Sequence, residues 1–153
     1  VLVEPELVDF VSRYFEELCC SALRALYSDY TVRETGQWWY GKHEIDVVGL
    51  ATSDTLILGE YKFQESPLGA DAFSKLRSHA DELRWASDDG SERIEQYALF
   101  SRSGFKSSVE ESAAERDDLR IFTVADIVEA VSARLDHRVS RDQDDARSRR
   151  LLD

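Results

Sequence analysis

Apolar positions first recur at helical spacing over residues 5–27. Leu7, Val11, Tyr14, Leu18, Ala22 and Ala25 form a stripe that Val8, Phe15 and Leu26 widen. Pro5 stands near the start, where its missing N–H does no harm, and Glu6 adds negative charge to the first turn. The period then changes. Residues 31–40 are rich in strand formers (Thr31, Val32, Trp38, Trp39, Tyr40). Gly41-Lys42 makes a short turn, and a second strand runs from His43 to Leu50 with Ile45, Val47 and Val48 apolar. After the polar turn Thr52-Ser53-Asp54, a third strand covers Thr55–Phe63, and its Leu56-Ile57-Leu58 run predicts burial on both faces. Short turns between three strands predict an antiparallel meander.

Pro67 and Gly69 end that pattern. Asp71 is placed to cap a helix reaching about Trp85, with Phe73, Leu76, Ala80 and Leu83 inward. A buried strand follows around Tyr97-Ala98-Leu99-Phe100, then a polar helical stretch to about Arg116. A short strand covers Leu119–Val124, and a last helix spans Ala125–Leu135 on Ile127, Val128, Val131 and Leu135. The predicted order is α, β, β, β, α, β, α, β, α. This is an α/β domain over residues 1–135 with a mixed sheet of four or five strands flanked by helices. Residues 136–153 hold five Arg and five Asp without periodicity and read as a solvated or frayed tail.

Composition sharpens this picture. The 153 residues suit one domain, and 42% hydrophobic content is enough for a core. No apolar run approaches the length of about 20 residues that a membrane span needs. No secretory leader stands at the start, so the expected location is the cytoplasm. Cys19 and Cys20 are adjacent, too few for a zinc site and poorly placed to pair with each other. The net charge is −12, and only Lys42, Lys62, Lys75 and Lys106 among the 19 basic residues are lysines. An acidic, Lys-poor composition reads as adaptation to high salt, as in a halophilic organism. Acidity ordinarily argues against nucleic-acid binding, but carboxylates that answer to the solvent weaken that argument. The first residue is Val1, which reads as a domain cut from a longer chain.

The sharpest candidate chemistry lies on the second and third strands. Asp46 interrupts an apolar strand, and Glu60-Tyr61-Lys62 follows on the next. Alternate strand residues share a face, so Glu60 and Lys62 point together, and a hairpin around residues 52–54 brings Asp46 beside Glu60. Two carboxylates with waters suit Mg²⁺ or Mn²⁺. A neighbouring lysine would neutralise phosphate charge, its pKa pulled in opposite directions by burial and by the carboxylates. The plain alternative is structural: the carboxylates bond to strand-edge amides and Lys62 balances them. Charges inside buried strands are costly unless paired or liganded, which favours a site.

Asp46 followed by Glu60-Tyr61-Lys62, on consecutive strands after a long helix, resembles the PD-(D/E)xK nuclease superfamily, whose core order is αβββαβ. Ile45 stands where the superfamily usually has Pro. The resemblance implies a restriction-endonuclease-like fold and metal-dependent phosphodiester hydrolysis with DNA as substrate. Asp46 and Glu60 would be metal ligands, Lys62 catalytic, and a glutamate on the first helix a further catalytic and metal residue. Helical phase does not choose between Glu16 and Glu17 for that role. The string Tyr14-Phe15-Glu16 is similar to the superfamily's aromatic-Glu pattern and favours Glu16. The longer string from Trp39 through Glu44-Ile45-Asp46-Val47-Val48 to Gly59-Glu60-Tyr61-Lys62-Phe63 resembles the C-terminal domain of archaeal and bacterial DEXX-box ATPases. That implies an ATPase module in the same chain, although no P-loop motif is present here.

Gln64 shares the face of Lys62, and Lys75 and His79 lie on the second helix; all three are candidate substrate contacts, with solvated surface as the alternative. Of Trp38 and Trp39, one is expected in the core. The other is left to stack on a base or to pack on another module. His43 reads as a capping or surface residue. Against the nuclease stand two other functions: a catalytically silent module that docks or assembles an ATPase, and a dimerising domain that pairs through edge strands or Trp38 and Trp39.

Overall fold

The computed structural model describes residues 4–52 and 54–150; the side chains of residues 4–13, 144–146 and 148–150 lie outside that description. The order is α1 (Glu4–Leu26), β1 (Val32–Tyr40), β2 (His43–Ala51), β3 (Thr55–Lys62), α2 (Ala70–Glu82), β4 (Ile94–Ser101), α3 (Ser107–Glu115), β5 (Leu119–Thr123) and α4 (Val124–Arg150). The strands form one mixed sheet in the order β1-β2-β3-β4-β5. β1, β2 and β3 are antiparallel neighbours, as their short turns require; β4 and β5 join in parallel through α2 and α3. At the β1–β2 turn Tyr40 pairs with His43, leaving Gly41-Lys42 as a two-residue loop. Gly41 takes the positive φ (59°) that the first position of a type II′ turn demands.

The sheet separates two cores. Phe15, Cys19, Leu23, Val47, Ile57, Phe100 and Ile127 fill the α1 and α4 side. Ile45, Leu56, Leu58, Leu76, Leu99 and Val109 fill the α2 and α3 side. The Leu56-Ile57-Leu58 run is divided between them, which is why it carries no alternation.

Several expectations are corrected. The buried stripe of α1 passes through Phe15, Cys19, Ala22 and Leu23, and Tyr14 is exposed. Leu7, Val8 and Val11 lie outside the described side chains, and Ser53 of the expected polar turn lies outside the described residues. Asp71 sits inside the first turn of α2, and Gly69 takes the capping position. α2 stops at Glu82, short of Trp85. On α4, Val128 and Leu135 are exposed while Ile127 is buried. The stretch expected as a loose tail continues α4 as helix to Arg150. It lacks an apolar stripe because Arg138, Arg141 and Asp142 are solvated, yet Arg, Ala and Gln favour helix without one. Leu151–Asp153 lie outside the described residues.

Candidate active site

The site forms where β2 parts from β3. Gly36 pairs with Val48 but Trp38 pairs with Ile45, so β2 carries one extra residue at Asp46–Val47. Ile45 therefore faces the α2 core and Val47 the α1 core, although two residues of a regular strand this far apart share a face. The β2–β3 ladder ends at Val47 and Gly59, while β3 stays paired with β4 as far as Lys62 and Ser101. In the opening, the Asp46 carboxylate accepts a hydrogen bond from the Tyr61 backbone N–H at 3.1 Å. A side chain has taken the place of a ladder carbonyl.

Tyr61 also ties in the first helix. Its hydroxyl donates to Glu16 Oε2 at 3.1 Å, and its ring meets Phe15 edge-on at 5.8 Å. Of the pair that helical phase left open, Glu16 is half-buried and bonded to Tyr61, and Glu17 is exposed. Glu60 is buried, at 8% exposure, and its Oε1 accepts from Lys62 Nζ at 3.0 Å. Among the described residues four buried side-chain polar atoms have no hydrogen-bond partner, and two of them are Glu16 Oε1 and Glu60 Oε2. Buried carboxylate oxygens are costly to leave in that state.

The electrostatics follow from this crowding. Burial pushes the Asp46 carboxyl up to about 7; the Tyr61 N–H opposes the shift, while Glu60, Glu44 and Glu16 add to it. Burial also raises Glu16, with the Tyr61 hydroxyl opposing and Glu44 and Glu17 reinforcing. For Lys62, burial pulls the ammonium down, but the hydrogen bond to Glu60 and the charges of Glu60, Asp46 and Asp71 prevail, and its pKa is raised. Cys20, beside Glu16, is pushed up to about 11 by burial and by the same carboxylates, so it is not an activated thiol.

Two further loops wall the site. A cavity of about 230 Å³ opens beside Glu60 and Lys62, lined also by Gln64, Gly69, Lys75 and Lys106. Gln64 lines it but spends its amide N–H on the carbonyl and hydroxyl of Ser66. Lys75 reaches it from the first half of α2. His79 does not: it stands one turn, about 6 Å, further along the helix axis. There it meets His43, Nδ1 to Nδ1 at 3.0 Å, which also corrects His43 from a surface residue to a half-buried link between β2 and α2. Lys106 was not singled out in the sequence; the scarcity of lysine is the signal that points to it. Trp38 packs on the α2 core, while Trp39 is 72% exposed opposite Glu44.

A family model described as archaea bacterial proteins of unknown function (DUF234) matches residues 1–77. The chain belongs to that family. The matched half runs from α1 through Lys75 and so contains Glu16, Asp46, Glu60 and Lys62. No curated protein and no solved structure matches the chain.

Among the described residues no three His, Cys, Asp or Glu side chains stand together as a metal-holding group, and Glu16 is tied to the site through Tyr61. Asp46 and Glu60 remain as a pair. The unpartnered Glu60 oxygen and the raised Asp46 are what a divalent cation would satisfy, and Mg²⁺ is commonly held by one or two carboxylates plus waters. No helix among the described residues is long and apolar enough to cross a membrane.

Proposed function

We propose that this DUF234 chain is a metal-dependent phosphodiester hydrolase, with DNA as substrate. The observation that carries the reading is the gathering of Asp46, Glu60 and Lys62 where β2 leaves β3, with a buried Glu60 oxygen lacking a protein partner. Asp46 and Glu60 would hold Mg²⁺ or Mn²⁺. When bound, the ion supplies Lewis-acid stabilisation of the phosphoryl group and lowers the pKa of water. Lys62, kept protonated by Glu60, neutralises charge that grows on the phosphoryl oxygens. Glu16, fixed by the Tyr61 hydroxyl, offers its free Oε1 to a hydrogen of the attacking water. The water gives one proton to Glu16 Oε1 as its oxygen bonds to phosphorus, the ester P–O bond breaks, the leaving oxygen takes a proton from solvent, and Glu16 returns its proton to solvent. The two free cysteines support a reducing, cytoplasmic location. An ATPase module elsewhere in the same polypeptide remains part of this proposal, on the resemblance of the Trp39–Phe63 string.

The test is metal binding followed by the proton inventory. Mn²⁺ titration should show one site that Asp46→Ala and Glu60→Ala abolish. Because Asp46 must lose a proton near 7, affinity should rise with pH up to that value and then level off. Equal affinity in either variant would remove the site. A site that binds metal without any cleavage, in this chain or with its ATPase module restored, would favour the docking module instead.

A further inference from the structure

We propose that the cavity beside Glu60 is a phosphate pocket, in which Lys75, Lys106 and the N-termini of α2 and α3 hold a substrate phosphate next to the carboxylates. It rests on the hydrolase reading of Asp46, Glu60 and Lys62 and adds the groups that bind the substrate. Lys62, Lys75 and Lys106 line this cavity, and the chain has one other lysine, Lys42. In a chain of net charge −12, three of four lysines meet at one opening, where they outnumber the carboxylates Glu60 and Asp71 of the same lining. Among the described residues Lys62 pairs with Glu60, while Lys75 and Lys106 have no ion-pair partner.

The backbone adds to this charge. Gly69 precedes α2 and Lys106 precedes α3, both lining the cavity, and neither helix start is capped by a side chain. Helix N-termini carry partial positive charge and unspent N–H groups, the usual seat of a phosphate. The two starts are held side by side: Leu68 N–H donates to Gly104 O at 3.0 Å, and Lys106 N–H donates to Leu68 O at 2.9 Å. Ser103 donates its hydroxyl hydrogen to Gln64 O, which closes the same wall. Glu60 Oε2, buried and without a hydrogen-bond partner, belongs to a residue that lines this cavity together with Asp71. A phosphate that carries a proton, or one bridged by a divalent cation, would complete it.

The experiment measures binding without divalent metal. Inorganic phosphate and a short single-stranded oligodeoxynucleotide are titrated at constant ionic strength into the wild-type chain, Lys75→Gln, Lys106→Gln and Lys42→Gln. Circular dichroism checks that each variant is folded; all three lysines are exposed. The expected result is binding that weakens about tenfold in Lys75→Gln and in Lys106→Gln, the scale of one lost charge-assisted hydrogen bond, and is unchanged in Lys42→Gln. No binding by the wild-type chain, or equal loss in Lys42→Gln, overturns the pocket. Cleavage that needs Lys62 but ignores Lys75→Gln and Lys106→Gln overturns the pocket and leaves the hydrolase standing. Phosphate binding that needs both lysines, with no cleavage under any metal, supports the pocket and overturns the hydrolase.

Discussion

Tyr61 holds two carboxylates at once, Asp46 through its backbone N–H and Glu16 through its hydroxyl. Removing the hydroxyl in Tyr61→Phe would leave Glu16 with neither oxygen bonded. The expected cost is about 1–3 kcal/mol in urea unfolding, and a further rise of the Glu16 pKa. Unchanged stability would show that Glu16 does not depend on Tyr61. Asp46 gives a sharper handle. Its folded pKa of about 7 lies above the unfolded value of about 3.9. Its contribution to stability is therefore fully present below about pH 4 and is lost as pH rises through about 7. In metal-free buffer the wild type should lose on the order of 2 kcal/mol more than Asp46→Asn between pH 5 and pH 8, after discounting for partial solvation. Parallel profiles would contradict the assignment. Glu16 shifts the same way, so the comparison with Asp46→Asn is what isolates one carboxyl.

At the scale of elements, the device that makes the site is the extra residue in β2. The β2–β3 ladder ends at Val47 and Gly59, so Asp46 and Glu60 are not paired across it, while Glu60 stays paired with β4. Gly59 closes that ladder in tight packing: a Cβ there would lie 3.0 Å from the Phe100 ring and 3.1 Å from Val47 Cβ. Gly59→Ala should cost about 1–3 kcal/mol by overpacking and disturb the carboxylates above it. Chemical denaturation with Mn²⁺ titration checks both effects, and a variant with native stability and affinity would refute the close packing. The strands themselves were legible, since β-branched and aromatic runs between turn residues leave few alternatives. So was the proximity of Asp46 to Glu60. The extra residue was not, because Glu44-Ile45-Asp46-Val47-Val48 reads as an unbroken strand. Nor was the length of α4, whose later turns have no apolar stripe to announce them. The distance from Lys75 to His79 separates a residue at the cavity from one packed on His43, a distinction that residue type alone does not make.

For the whole molecule the charge of −12 is the quantity that added salt screens. Exposed carboxylates repel over about 10 Å at 0.1 M salt and over about 3 Å at 1 M. The melting temperature should rise steadily as KCl is raised from about 0.1 M to about 2 M; a flat or falling curve would contradict salt adaptation. The same field explains why a basic footprint was hard to see in composition. Lys62, Lys75 and Lys106 are few in number and are brought to one cavity by the two loops around Gly69 and Lys106. The measurement that bears most directly on the central claim is DNA cleavage by the wild-type chain beside Lys62→Ala and Glu60→Ala. Supercoiled, linear, branched and single-stranded substrates are each tried, with Mg²⁺ or Mn²⁺, over a wide range of salt. The account predicts metal-dependent cleavage that falls by about 10²–10³-fold or more in both variants, the scale of losing one group that stabilises transition-state charge. Cleavage that persists undiminished in Lys62→Ala and Glu60→Ala would place any hydrolysis elsewhere and contradict the site described above.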